Sequence, residues 1–175
     1  LPHPFVEDAR DVEEPPVLAG DRQSTMIAWL TGKLQRKAAD SVIINVSGVG
    51  YQVAVPVSTL NAIADTGEEV SLHIHTHVRE DSLSLFGFST ELEKDVFLLL
   101  LGVSGIGPKL ALTVLSGLSV QDLVTAIRSS DDSRLRGIPG IGKKTAARMC
   151  LELKDKVLQL APDEAPRSPL PPVVS

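Results

Sequence analysis

Two stretches of this chain combine residue types that can hold an anion. "VSGIGPKLALTVL" (residues 103–115) and "IPGIGKKTAARMC" (residues 138–150) share Gly105/Gly140, Ile106/Ile141, Gly107/Gly142, Lys109/Lys144 and Ala111/Ala146 at identical spacing. In G-I-G-x-K the glycines permit positive φ and close backbone approach, and the isoleucine between them anchors a tight turn in a core. A helix that starts at Pro108 or Lys143 then points its free N–H groups outward. Proline is best tolerated at the first helical position, and a helix N-terminus offers a phosphate hydrogen bonds and the positive end of a dipole. Lys109, Lys143, Lys144 and Arg148 stand on the same segments. Such contacts read phosphodiester backbone rather than bases, which gives sequence-independent, salt-dependent binding. One G-x-G reads equally well as the end of one helix and the turn into the next, with its lysine solvated. Two copies, each followed by a basic helix, favour a DNA-backbone site at Gly105, Gly107, Lys109, Gly140, Gly142, Lys143, Lys144 and Arg148. Neither a Walker loop nor a dinucleotide fingerprint is present, since no G-x-x-x-x-G-K-[ST] and no strand–turn–helix unit accompanies the glycines.

A third stretch has the opposite sign. "HTHVREDSLSLFGF" (residues 75–88) puts Glu80 and Asp81 side by side at an expected hairpin tip, where two carboxylates repel the ligand that the glycine loops attract. Taken alone, Arg79-Glu80-Asp81-Ser82 reads as a solvated turn.

Other chemistry has weaker support. "HIHTH" places His73, His75 and His77 on one strand face. The strand rise separates the first and third by about 13 Å, against zinc–nitrogen bonds of about 2 Å, so the three cannot share one ion. A polar strand face is the expectation, and no metal or other cofactor is assigned. A nuclease needs clustered carboxylates to hold divalent ions, but Glu68/Glu69, Glu80/Asp81 and Asp131/Asp132 each stand as a pair in a turn without a third partner. A glycosylase needs a nucleophilic lysine or catalytic aspartate beside a pocket for an extruded base. Lys144 is taken by the phosphate role, and Asp155 reads as a helix-surface charge. No catalytic residue is assigned.

The elements that must position these groups divide by texture and charge. The net charge of −5 over 175 residues is unevenly spread. Residues 1–25 carry two basic and six acidic groups, 26–101 five and nine, 102–160 nine and five, and 161–175 one and two, so only the repeat-bearing segment is basic. Residues 1–25 are acidic and Pro-rich, the composition of a disordered leader, with Met26 the expected start of the folded protein. "IAWLTGKL", "SVIINVSG", "GYQVAVPV", "EVSLHIHTHV" and "LSLFGF" read as five strands within residues 26–89, the count of a small oligonucleotide/oligosaccharide-binding (OB) barrel. From Ser89 the texture becomes helical. "STELEKDVFLLLLG" opens on a capping signal, and further helices are expected over 108–116, 119–129 and 143–158 within an all-α domain at 90–158. Residues 159–175 read as a Pro-rich linker or tail. The fold class is α+β. The apolar run "FLLLLGV" is too short to cross a bilayer. One cysteine, Cys150, and no secretory signal point to the cytoplasm.

The paired glycine elements are similar to tandem helix-hairpin-helix motifs. With "MIAWLTGKL", "VSGVGYQVAVP", "VREDSLSLFGF", "GIGPKLAL" and "IPGIGKKTAARMCLELKDK", the chain resembles the RuvA family, Holliday-junction-binding subunits of the bacterial RuvAB branch-migration complex, over about 130 residues. The resemblance implies an OB-fold followed by two hairpins, and sequence-independent binding of open, square four-way junctions in recombination and repair. It also implies a homotetramer, with one or two tetramers per junction, and ATPase chemistry in a RuvB motor rather than in this chain; the RuvC resolvase is a further implied partner. In such a tetramer Glu80 and Asp81 would converge near the four-fold axis as an acidic pin that repels continuous duplex, with Arg79 offsetting the repulsion or guiding a phosphate. The family's third, RuvB-contacting domain is not expected within these residues. A general DNA-architectural module without junction preference is the alternative.

Overall fold

The computed structural model describes residues 26–160, so the expectations for the leader before Met26 and for the tail beyond Leu160 lie outside the described residues. Five strands, β1 (Trp29–Lys37), β2 (Ser41–Val46), β3 (Val49–Ala54), β4 (Glu69–Val78) and β5 (Leu83–Phe88), close into a barrel in the order β1-β2-β3-β5-β4. All neighbours are antiparallel except β3 and β5, which pair in parallel at Ala54 and Phe86. Alternation puts Leu34, Ile44, Val53, Leu72 and Ile74 inside, where they are almost fully buried. Burying each such side chain stabilises the fold by about 1.5–3 kcal/mol.

The strand expectations differ from the fold at two places, each with a physical reason. β1 runs on to Lys37 because a bulge between Leu34 and Arg36 breaks the two-residue period that marks a strand in sequence. "GYQVAVPV" stops at Ala54 because Pro56 has no N–H for the ladder; it becomes the N-cap of a short helix, α1 (Val57–Ala62), between β3 and β4.

The second half is helical: α2 (Glu91–Leu101), α3 (Pro108–Gly117), α4 (Val120–Arg128), α5 (Asp132–Arg136) and α6 (Lys143–Val157). α5 has five residues, too few to show a helical period in sequence. α2 starts with a reciprocal capping box in which Thr90 Oγ1 accepts from the Glu93 amide at 3.1 Å and the Glu93 carboxylate accepts from the Thr90 amide at 3.4 Å. Glu93 is buried, and it also accepts from Ser58 Oγ at 2.6 Å, Thr59 Oγ1 at 3.2 Å and Ser89 Oγ at 2.7 Å. One carboxylate thus joins α1, the end of β5 and the start of α2.

The two halves share a seam. Phe86 and Phe88 of β5 belong to the same core as Phe97 and Leu100 of α2 and Leu115 of α3. The "HIHTH" row lies in part on this seam, which corrects the expectation of a polar strand face. His75 is 3% exposed, 6.4 Å from the Phe86 ring and 5.8 Å from Phe97, because α2 covers that face of β4. Its Nε2 is a buried polar atom with no hydrogen-bond partner among the described residues.

Candidate nucleic-acid interface

The two glycine elements form the same local structure twice. Gly105 has φ of 93° and Gly140 of 89°, a left-handed conformation that a side chain resists. The next residue is turned inward: Ile106 and Ile141 are buried, and their amides donate to Val103 O and Ile138 O, each at 3.1 Å. Gly107 and Gly142 then cap α3 and α6 in extended conformation, and their carbonyls accept the first helical hydrogen bonds from Ala111 and Ala146, each at 2.9 Å.

Capping separates these helices from α2, α4 and α5, though not from the short α1, which also has no side-chain cap from its N-cap residue, Pro56. α2, α4 and α5 each satisfy a first-turn amide with a side-chain oxygen, from Thr90, Ser119 and Asp131, and each has an acidic residue in the first turn. α3 and α6 have no side-chain cap and no acidic residue there. Their first-turn N–H groups and dipole ends face outward, which is how a helix receives a phosphate oxygen. Pro108 stands at the start of α3. Gly107 and Gly142 have ordinary φ of −93° and −88°, and a Cβ on either would meet nothing within 4 Å among the described residues. The packing of the described residues does not demand glycine at these positions, whereas a ligand approaching the backbone would.

The basic side chains surround these ends. Lys109, Lys143, Lys144 and Arg148 are all exposed. The hairpins also touch each other. Arg148 Nη1 donates to Ser104 O at 3.4 Å and lies 3.5 Å from Ser104 Oγ, and a Cβ on Gly140 would come within 2.8 Å of Leu110 Cδ1 on α3. Ser104 is a residue that sequence reading missed. It lies 44 positions from Arg148, and no local signal joins them.

The acidic tip lies between β4 and β5. The Arg79 amide donates to Ser82 O at 2.8 Å and closes the turn, leaving Glu80 and Asp81 exposed with no ion pair among the described residues. Arg79 pairs with neither carboxylate among the described residues; its Nε donates to His77 Nε2 at 3.3 Å. His77 and Arg79 line a groove of about 510 Å³ whose far wall includes Lys109 and Leu112 of α3. The alternation of "HTHVR" already put His77 and Arg79 on one face, but the approach of α3 is tertiary.

The other acidic pairs hold structure. Asp131 accepts from Ser133 Oγ and the Arg134 amide, which hold its carboxyl below the usual carboxylate range; Asp132 pairs with Arg136 at 3.7 Å, and Glu68 accepts from the Asp65 amide. Among the described residues no three His, Cys, Asp or Glu side chains are placed to share a metal ion. Burial pushes the Cys150 thiol up, away from reactive thiolate.

Comparison with known proteins agrees with this geometry. Residues 26–87 match the model of the RuvA N-terminal domain, and residues 97–155 that of the SAM-like helix-hairpin-helix tandem. The Holliday junction branch migration complex subunit RuvA of Geobacter sulfurreducens is 53% identical over 154 residues, covering 86% of this chain and 77% of that protein. The protein of the same name from Geobacter metallireducens is 52% identical over the same shares, and that of Solibacter usitatus is 51% identical over 82% of this chain and 73% of its own length. A closed five-stranded barrel, a duplicated glycine hairpin and identity above one half over most of both chains place this chain in the RuvA family.

Proposed function

We propose that this chain binds four-way DNA junctions without regard to sequence and holds them open for branch migration by a separate motor. The observation that carries this reading is the pair of uncapped, glycine-led helix N-termini in the basic half of a chain whose β4–β5 turn presents two exposed carboxylates. The amides at the starts of α3 and α6, with Lys109, Lys143, Lys144 and Arg148, grip phosphates. Gly105 and Gly140 shape the loops, while Gly107 and Gly142 leave the backbone bare for the strand. Glu80 and Asp81 refuse continuous duplex at the centre and admit an open crossover.

In this reading the chain is a cytoplasmic, non-enzymatic subunit. Four copies converge their acidic turns on a four-fold axis, one or two such tetramers hold each junction, and ATP hydrolysis belongs to a RuvB-type partner, with a RuvC-type resolvase acting on the held junction. The barrel at 26–89 and the hairpin domain at 90–158 act as one platform across the aromatic seam. Relatives named as subunits of the Holliday junction branch migration complex support it.

The test is a gel shift on four-way junction, plain duplex and single-stranded DNA across a salt series, with the mass of the free protein measured in parallel. Preferential junction binding by a species of four chains is expected. Equal affinity for junction and duplex would leave a general architectural module.

A further inference from the structure

The hairpin that carries the acidic turn has two unlike faces. In β4 and β5 the inward-facing pairs run Ile74 with Gly87, Thr76 with Leu85, then Val78 with Leu83. The first two pairs close the barrel, where Ile74, Thr76, Leu85 and their neighbours are buried. By the two-residue period of a strand, Val78 and Leu83 continue the same face, but the hairpin has outrun the barrel there, and they are 56% and 52% exposed. The opposite face of this end carries His77, Arg79 and Ser84, which line the groove towards Lys109. The hairpin end is therefore apolar on one side, cationic on the other and acidic at its tip.

Charge selects the part of a nucleic acid that can meet the apolar side. Val78 immediately precedes Arg79, Glu80 and Asp81, and Leu83 stands two residues after Asp81. Carboxylates that close to a surface disfavour phosphate beside it. On the other face Arg79 and, across the groove, Lys109 outnumber the one carboxylate in its wall, Asp40, and offer phosphate a net cationic surface. Uncharged base faces are the DNA component left for an exposed Val–Leu pair, and apolar wedges of such side chains do enter base steps that have opened.

We propose that Val78 and Leu83 form an apolar edge that packs against the base faces exposed where the strands of a four-way junction cross. The inference rests on the junction reading and deepens it. The acidic tip excludes backbone from the centre, and the Val78/Leu83 edge replaces part of the stacking that base pairs lose as they part there.

The experiment uses the full chain with Val78→Thr/Leu83→Thr, whose β-branched substitutes keep strand propensity, and Val78→Ile/Leu83→Met, which keeps the edge apolar. Junctions carry 2-aminopurine at the crossover or, as control, within an arm. The threonine variant is expected to lose the crossover-specific fluorescence change and about tenfold in junction affinity, with duplex affinity and arm signal unchanged. The Ile/Met variant is expected to behave as the parent. An unchanged crossover signal in the threonine variant, in a protein that still prefers junction to duplex, would overturn the edge while leaving the junction reading intact. A parent protein without junction preference would remove both. A fall in the native mass of the threonine variant would instead make the pair a contact between copies of the chain and overturn base contact.

Discussion

Arg148 of α6 reaches back to Ser104, in the loop before α3, and donates to its carbonyl oxygen at 3.4 Å. The side chain that follows the second glycine loop is thereby attached to the first, and the two helix N-termini are set as a pair. Arg148→Ala should weaken junction binding by removing one cation and by loosening this link. Arg148→Lys, which keeps the charge without the fork, should restore the salt slope but only part of the affinity. Full recovery with lysine would reduce Arg148 to a phosphate contact.

The lysines offer a simpler expectation. Lys109→Ala and Lys144→Ala should lower affinity for junction and duplex alike, and each should reduce the slope of log affinity against log salt by about one. Loss of affinity with an unaltered slope would show that neither lysine meets a phosphate.

The four loop glycines should separate stability from binding. Gly105→Ala and Gly140→Ala place a side chain at positive φ and should each cost about 1–2 kcal/mol of folding free energy. Gly140 should suffer more because of Leu110 Cδ1. Gly107→Ala and Gly142→Ala have ordinary φ and open space, so their melting temperatures should hold while DNA affinity falls. Thermal melts with parallel gel shifts decide this.

At the acidic turn, Glu80→Gln with Asp81→Asn should raise affinity for plain duplex and shrink the preference for junction, most clearly at low salt, where charge repulsion is least screened. An unchanged ratio would return the pair to a solvated turn.

The aromatic seam makes stability depend on pH. Burial lowers the pKa of His75 from its ordinary 6.5, and the neighbouring His77 and Lys94 add to the effect. Burial likewise lowers His73, with Glu91 opposing it. A lowered histidine pKa means that the unfolded chain takes up the proton first, so stability is intact above about 6.5 and is lost as pH falls below it. Denaturant midpoints measured from pH 7.5 to 5.5 should fall, and His75→Phe should flatten the decline. An equal decline in that variant would assign the effect to other groups.

Much of the fold was legible in the chain because its signals are local. A cap signal at Ser89 or Thr90 with acidic residues following announced the start of α2, which the structure places at Thr90, and the repeated G-I-G-x-K at equal spacing announced two turns whose backbones agree within a few degrees. The five apolar alternations counted the strands. The failures came where a local period was broken or too short, at the bulge after Leu34, at Pro56 and in the five residues of α5.

What the sequence determined by itself was the list of parts: a β half, a basic helical half, two glycine loops with their lysines, and an acidic hairpin tip. Periodicity, backbone permissiveness and charge are properties of neighbouring residues, so one chain suffices to read them. Tertiary structure alone decided which faces are covered and which distant groups meet. It buried His75 under α2, brought Ser104 to Arg148, set Lys109 across a groove from His77 and Arg79, and carried Val78 and Leu83 past the end of the barrel. The physical reason is that burial and long-range contact depend on how the barrel and the helices pack, and identical strand alternation yields a core or an exposed edge according to what lies opposite.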